Sequence, residues 1–139
     1  MLDLANTRLE SIEVVSSSLR ESRFIGATLV GSFRDVVLTD CQFDLASLFM
    51  CSFSRTEFHA CSLAEVDASG AELRSVLLDD CNLTGADFSK AEWERSEIRA
   101  CDLTGFRGVE DLAGVHIPIS DLLLMAPLLA TTLGIIPIH

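Results

Sequence analysis

No tyrosine occurs among the 139 residues, only three histidines do, and ten basic side chains face twenty-one acidic ones. Each shortage narrows the function. Eight phenylalanines and one tryptophan without tyrosine suit a dry, stacked interior with no phenolic hydroxyl to satisfy. His59 follows the large apolar Phe58 and is expected to face solvent, His116 lies late in the chain, and His139 ends it. No Ser/His/Asp or Cys/His set can be assembled from such positions, so no catalytic residue is assigned. No two cysteines stand in the C-x2-C spacing of a zinc site, so no metal is expected, and nothing calls for a cofactor. Gly70, Gly85 and Gly105 are isolated, which leaves no glycine-rich phosphate loop. The net charge of −11 is evenly spread, with ten acids and five bases in residues 1–70 and eleven and five in residues 71–139. That balance opposes direct nucleic-acid binding. It favours solubility or a basic partner surface.

Signals for export or membrane insertion are equally scarce. Met1-Leu2-Asp3-Leu4 has neither the basic start nor the apolar core of a signal peptide. Residues 122–138 carry no charge, but Pro127, Gly134 and Pro137 interrupt them and they fall short of the ~20 residues of a span. The expectation is a single domain placed in the cytoplasm, with no membrane contact.

What the chain does have is a rhythm of five. Large apolar residues fall at Phe33, Leu38, Phe43, Leu48, Phe53, Phe58 and Leu63, pass one weak step at Ala68, and resume at Leu73, Leu78, Leu83, Phe88, Trp93, Ile98 and Leu103. Small or modest residues precede each by two, among them Cys41, Cys51, Cys61, Cys81 and Cys101, and the other three positions are mostly polar. Neither a helix nor a strand repeats every five residues, so a fixed period of five predicts a solenoid. Upstream, Leu4, Leu9, Val14, Leu19, Phe24 and Leu29 keep the spacing, but Leu29 to Phe33 is a step of four. One residue is missing near Val30–Gly31, where glycine tolerates a shortened corner.

Stretches such as Ala71-Glu72-Leu73, Gly85-Ala86-Asp87-Phe88 and Cys81-Asn82-Leu83-Thr84-Gly85 resemble the pentapeptide-repeat family, whose unit is roughly A(D/N)LXX. The resemblance covers residues 2–106 in twenty-one units. It implies an all-β solenoid, a right-handed quadrilateral β-helix of about five coils with four units per coil. The large residue and the small one two before it would point inward. Cysteines spaced by twenty residues agree, since twenty is four units. The expected columns are Val14, Phe33, Phe53, Leu73 and Trp93; Leu19, Leu38, Phe58, Leu78 and Ile98; Leu4, Phe24, Phe43, Leu63, Leu83 and Leu103; and Leu9, Leu29, Leu48, Ala68 and Phe88. Undersized Ala68 shares a unit with oversized Val66, a volume swap that cores tolerate. About five coils at ~4.8 Å make a rod of roughly 25 Å.

Stacked thiols would run parallel, which does not suit a disulfide dihedral. They read as small buried packing groups, and five free thiols fit a reducing compartment. On the outer wall, Glu72 and Glu92, Asp67 and Asp87, Asp40 and Asp80, and Glu57 and Glu97 should share columns. On a convex wall these are solvated ladders, and Arg34, Arg55, Arg74, Arg95 and Arg99 can form surface ion pairs of small worth. Asn82-Leu83-Thr84 matches a glycosylation sequon, though a repeat coil is a poor acceptor.

After Leu103 the rhythm is expected to fail, and residues 107–139 to form a helical cap. Ser120 resembles a helix N-cap, Asp121 suits the first turn, and Gly134 the stop. Pro127 should kink the helix or divide it in two. The tail resembles C-terminal segments of actinobacterial pentapeptide-repeat proteins. Its apolar surround, with Leu123, Leu124 and Leu128 as candidate contacts, suggests a homodimer. The other end shows no cap, so either a partner covers the first coil or the chain begins inside a longer protein. Two functions stand out: a protein-interaction or structural scaffold, and a non-catalytic DNA mimic. Some acidic, dimeric members of the family bind DNA gyrase in place of DNA, and Asp67, Glu72, Asp87 and Glu92 would form such a face here.

Overall fold

The structure is a computed structural model and describes residues 1–138. Two long strands open it, β1 (Arg8–Arg20) and β2 (Thr28–Thr39). Six three-residue strands follow: β3 (Ser52–Ser54), β4 (Glu57–His59), β5 (Glu72–Arg74), β6 (Leu77–Asp79), β7 (Glu92–Glu94) and β8 (Glu97–Arg99). All pairs are parallel and join residues one coil apart, so the chain is a parallel β-solenoid of about five turns. β2 crosses two walls without interruption. One half therefore pairs with β3 and the other with β4, giving the order β7-β5-β3-β2-β4-β6-β8 with β1 against β2. The two remaining walls have no long strands. Single parallel bridges hold them, such as Gln42 to Ser62 to Asn82 to Asp102, and Ser47 to Asp67 to Asp87 to Arg107.

The pairing reproduces the four interior columns. Val14 lies against Phe33, Phe33 against Phe53, Phe53 against Leu73 and Leu73 against Trp93. Rings stack along and across columns: Phe24 and Phe43 lie 4.7 Å apart with their planes nearly parallel, and Phe33 and Phe53 lie 5.1 Å apart. Phe53 meets Phe58 edge-on at 5.6 Å, tying two walls together. Phe33, Phe53, Phe43, Leu63, Leu73, Leu83, Phe58 and Phe88 are buried, as are Cys41, Cys61 and Cys81. Trp93, Leu103 and Cys101 are half-buried because they approach the end of the rod. Ala68 and Val66 are both buried, so the exchanged volumes fill their unit.

A corner with positive φ ends every unit but the shortened one at Val30. Sixteen non-glycine residues adopt it, from Asn6 (φ 57°) to Ala100 (φ 53°), and Gly26, Gly70, Gly85 and Gly105 occupy equivalent corners. A left-handed residue with a Cβ costs about 1–2 kcal/mol, so the corners are strained and must be held by the ladder. The missing residue is one of these corners. Leu9 pairs with Leu29 but Ile12 pairs with Gly31, which leaves Val30 alone where Glu10 and Ser11 stand in the first coil. Gly31 is required there, because a Cβ would land on the Ile12 carbonyl oxygen.

The rod runs further than the rhythm. Arg107 bridges Asp87, placing Phe106 beyond Ala86 and Gly108 beyond Phe88. Large and small have exchanged positions, and Phe106 stacks on Phe88 at 5.5 Å. A 3-10 turn (Val109–Asp111) then replaces the next strand, and His116 rejoins the ladder beside Glu97. The end is closed by α1 (Ile119–Leu124) and α2 (Ala126–Leu133). Ser120 is not the cap: Pro118 precedes α1, and its carbonyl receives the Asp121 and Leu122 amides. The helices break at Met125, so Pro127 falls in the first turn of α2, where its missing N–H costs nothing. Gly134 ends α2 at φ 73°. Met125 is buried against the last coil and Leu128 packs on the core. Asp111 Oδ2 accepts the Lys90 amide and Asp121 Oδ2 the Ala100 amide, each at 2.8 Å, supplying acceptors that a further coil would have provided.

Phe58 is almost fully buried and touches rings from two columns. Phe58→Ala is expected to cost about 3–5 kcal/mol in denaturant unfolding, a large fraction of the stability of a small domain. An unchanged midpoint would be incompatible with this packing.

Candidate interaction surfaces

The thiols serve packing and local hydrogen bonding. All five cysteines are free. Cys61 Sγ donates to the Leu38 and His59 carbonyls at 3.5 Å, and Cys81 Sγ to those of Phe58 and Asp79 at 3.4 Å. Thr56 and Ser96 send hydroxyls to the equivalent carbonyls of their own columns. The cysteines are therefore weak donors as well as fillers, a role the spacing did not reveal. Burial pushes the Cys51 thiol up, and the neighbouring Cys61 thiol together with burial does the same for Cys41. Cys41 and Cys51, protonated and enclosed, lack the exposure and low pKa of reactive cysteines. Among the described residues, no group of three or more His, Cys, Asp or Glu side chains is placed to hold a metal ion. No helix there is long and apolar enough to cross a membrane.

The four candidate acidic residues lie on two adjoining walls. Glu72 and Glu92 face each other across β5 and β7, and Asp67 bridges Asp87 on the preceding wall. Their environments differ. Asp67 and Asp87 curl back to accept the amides of Ser69 and Ser89 at 3.1 and 2.9 Å. The Ser89 hydroxyl, first, and then the Ser89 amide hold the Asp87 carboxyl below its usual range, and Arg107 stands 3.9 Å away. Glu72 and Glu92 extend outward, with only the Ser52 hydroxyl near Glu72 at 3.3 Å. Lys90 occupies the corner between the walls. The other two pairs share columns without touching: Ala60 separates Asp40 from Asp80, and Leu77 separates Glu57 from Glu97.

Several remaining charges are consumed locally. Arg55 grips Asp35 with two bonds, at 2.7 and 3.2 Å, and holds that carboxyl below its usual range. Arg74 lies 3.6 Å from Glu94, and Arg99 3.1 Å from Glu97. His59 is half-buried on the outer wall, 2.7 Å from Glu57 and 3.4 Å from Asp79. His116 is exposed, and His139 lies outside the described residues.

The helical end presents a second surface. Leu123 and Leu124 are 74% and 81% exposed, with Ile119, Leu133, Ile135, Ile136 and Ile138 also in solvent. Leu128 is half-buried against the core and, with Leu124, lines a cleft of about 560 Å³ beside Leu103, Ile117 and Met125.

These features define a parallel β-solenoid built from five-residue units, with inward apolar columns and polar outer ladders. A family model described as a pentapeptide repeat region matches residues 31–107, and the chain belongs to the pentapeptide-repeat family. The solved structure of HetL, a pentapeptide repeat protein involved in heterocyst differentiation regulation from the cyanobacterium Nostoc sp. strain PCC 7120, is similar in fold. It has a TM-score of 0.58 and 20% identity, over 84% of this chain and 60% of that one. The match thus spans about three fifths of HetL. A thylakoid-lumen pentapeptide repeat protein from Arabidopsis thaliana is 24% identical over 79% of this chain and 74% of its own, with a TM-score of 0.41. QnrB1, a plasmid-mediated fluoroquinolone resistance protein, is 21% identical over 98% and 85%, with a TM-score of 0.38. No curated protein matches the sequence.

Glu57, first, and then Asp79 raise the His59 pKa above its ordinary value by favouring the imidazolium. Such stabilisation is complete below the unfolded value of about 6.5 and fades as pH rises through the higher folded value. His59→Gln should therefore lower the melting temperature most near about pH 5.5, and least near about pH 9. A deficit that is constant over this range would refute the ion pairing.

Proposed function

We propose that the chain is a non-catalytic protein-interaction or structural scaffold, acting in the reducing environment of the cytoplasm. The observation that carries this reading is the Glu72–Glu92 ladder, outward carboxylates fixed in register on a parallel sheet. A solenoid stacked on buried rings presents its outer residues at a set spacing, which suits recognition of a protein surface. The free buried thiols support the reducing compartment.

The same acidity supports a competing reading, a DNA mimic occupying the DNA site of a type II topoisomerase such as gyrase. Charge density weighs against it. Residues 2–106 hold eighteen acidic and nine basic side chains, a net −9. A duplex of the rod's length, roughly 25 Å, would carry about 15 negative charges at one per about 1.7 Å. Lys90 and Arg107 further interrupt the candidate face. In a gyrase supercoiling assay, the scaffold reading expects no inhibition up to tens of micromolar protein. Inhibition relieved by added DNA and weakened by Glu72→Lys/Glu92→Lys would instead establish mimicry.

The assembly we propose is a homodimer through the C-terminal segment, supported by the exposure of Leu123 and Leu124. Light scattering at micromolar concentration should give twice the chain mass of 15.1 kDa. Leu124→Lys should return it to one chain without unfolding the rod, since this side chain is 81% exposed. A wild-type monomer would overturn the dimer.

A further inference from the structure

Three large apolar residues sit where the five-residue pattern calls for outward polar ones: Leu45, Phe49 and Met50, exposed by 63%, 54% and 61%. They surround Leu48, whose own side chain points inward and is buried. Leu45 and Met50 are consecutive corners, at φ 62° and 61°. The other fourteen non-glycine corners are polar, charged or alanine. These two residues thus combine left-handed strain with exposure of apolar surface, at neighbouring positions on a single wall. Local rules broken together without a packing return mark a surface kept for contact.

The surroundings make the patch continuous and accessible. Val30 lies beside Phe49 in the preceding coil, also outward and 45% exposed. The missing corner of that coil would have stood next to Met50. On the other side Met50 lies across Gly70, where a Cβ would meet its sulfur. Leu45 follows Gly26 in its own column. The patch is therefore flanked by a glycine at each corner and by a shortened turn, rather than by side chains that would cover it.

The rim decides the occupant. In the next coil Glu65 follows Leu45 in its column and Asp67 follows Ser47, both exposed, and Glu72 stands just past the Gly70 corner. Toward the first coil Glu10 is neutralised by Arg8 at 2.7 Å. Lys90, beyond Gly70, is the nearest cation in the Met50 column. We propose that this wall docks a basic protein segment that carries apolar anchor side chains, the anchors resting on Phe49, Met50, Leu45 and Val30 and its cations on Glu65, Asp67 and Glu72. The proposal rests on the interaction-module reading and gives its partner a chemistry: alternating cationic and apolar side chains rather than charge alone.

The test uses the full chain and two fluorescein-labelled ten-residue peptides of equal charge, one alternating arginine with leucine and one alternating arginine with serine. Fluorescence anisotropy at physiological salt should show the arginine–leucine peptide binding about tenfold tighter or more. Phe49→Ser/Met50→Ser should abolish that preference, while Glu65→Gln/Asp67→Asn should weaken both peptides. Circular dichroism melting of each variant checks that the rod is intact, as expected for exposed positions. Equal binding of the two peptides, a preference unchanged in Phe49→Ser/Met50→Ser, or no binding of either peptide would each overturn the proposal. So would a fall in the light-scattering mass caused by Phe49→Ser, which would make the patch a contact between copies. The supercoiling assay judges the scaffold reading independently of this wall.

Discussion

A left-handed corner recurs after every fifth residue, and the rest of the molecule depends on it. The corner turns the chain so that the next wall begins, which fixes a unit at five residues and a coil at twenty. Only with that count do Phe33, Phe53 and Leu73 fall over one another, and only then do the backbone amides of one coil meet the carbonyls of the next. The strain at corners bearing a Cβ is sustained because corner amides are held by the ladder, as with Arg55 to the Arg74 carbonyl at 2.9 Å and Ala60 to that of Asp79 at 3.0 Å, while at the end of the rod the Asp111 and Asp121 carboxylates take the Lys90 and Ala100 amides. Losing one corner residue, as at Val30–Gly31, is tolerable only because glycine lets the backbone of Ile12 approach.

The walls satisfy their remaining polar groups in two ways, and each explains part of the repeat. On the turn-rich walls, an Asp or Asn before the inward residue accepts the amide two positions on. Asn82 does so for Thr84 at 3.0 Å and Asp102 for Thr104 at 3.0 Å. This local bond is the physical reason for the D/N position in the unit. Inside, the position two before the large residue accommodates a small side chain, and where that side chain is Cys, Thr or Ser its donor reaches the carbonyls beside it. Among the described residues, two side-chain polar atoms are buried without a partner, Asp44 Oδ1 and Trp93 Nε1. Trp93 is the last member of its column, where the 3-10 turn replaces the strand that would have covered it.

Integer spacing made the columns legible. A period of five has no competing reading, and the single four-residue step at Leu29–Phe33 located the missing corner. The end of the rod was hidden for a specific reason: Phe106 and Gly108 exchange the sizes of the inward positions, and the chain then leaves and rejoins the ladder at His116. A periodicity of large residues cannot follow either change. Ser120 failed as a cap because Pro118, with its fixed φ, already starts the helix. Asp121 was placed correctly in the first turn, yet its carboxylate serves the last coil rather than its own helix. The acidic columns were readable, but Asp67 and Asp87 are partly spent on their own turns, which no column count could show. The signal for the Leu45–Met50 wall was present as apolar residues off the two inward positions; beside Leu48 they merged into an apolar run.

Recognition by such a rod must lie in departures from its own pattern. The inward positions are committed to packing, so the three outward positions per unit, the corner included, carry whatever distinguishes one wall from another. On much of this surface those positions are neutralised in short ion pairs, among them Arg55–Asp35 and Arg99–Glu97, which contribute little and present no net field. One cluster of departures combines both kinds: extended Glu72 and Glu92, the exposed Glu65 and Asp67, and the apolar corners before them. A uniformly acidic imitation of a duplex would need the first kind alone. An apolar cluster bordered by carboxylates selects by shape and desolvation as well as by charge, and that combination separates a protein segment from a polyelectrolyte.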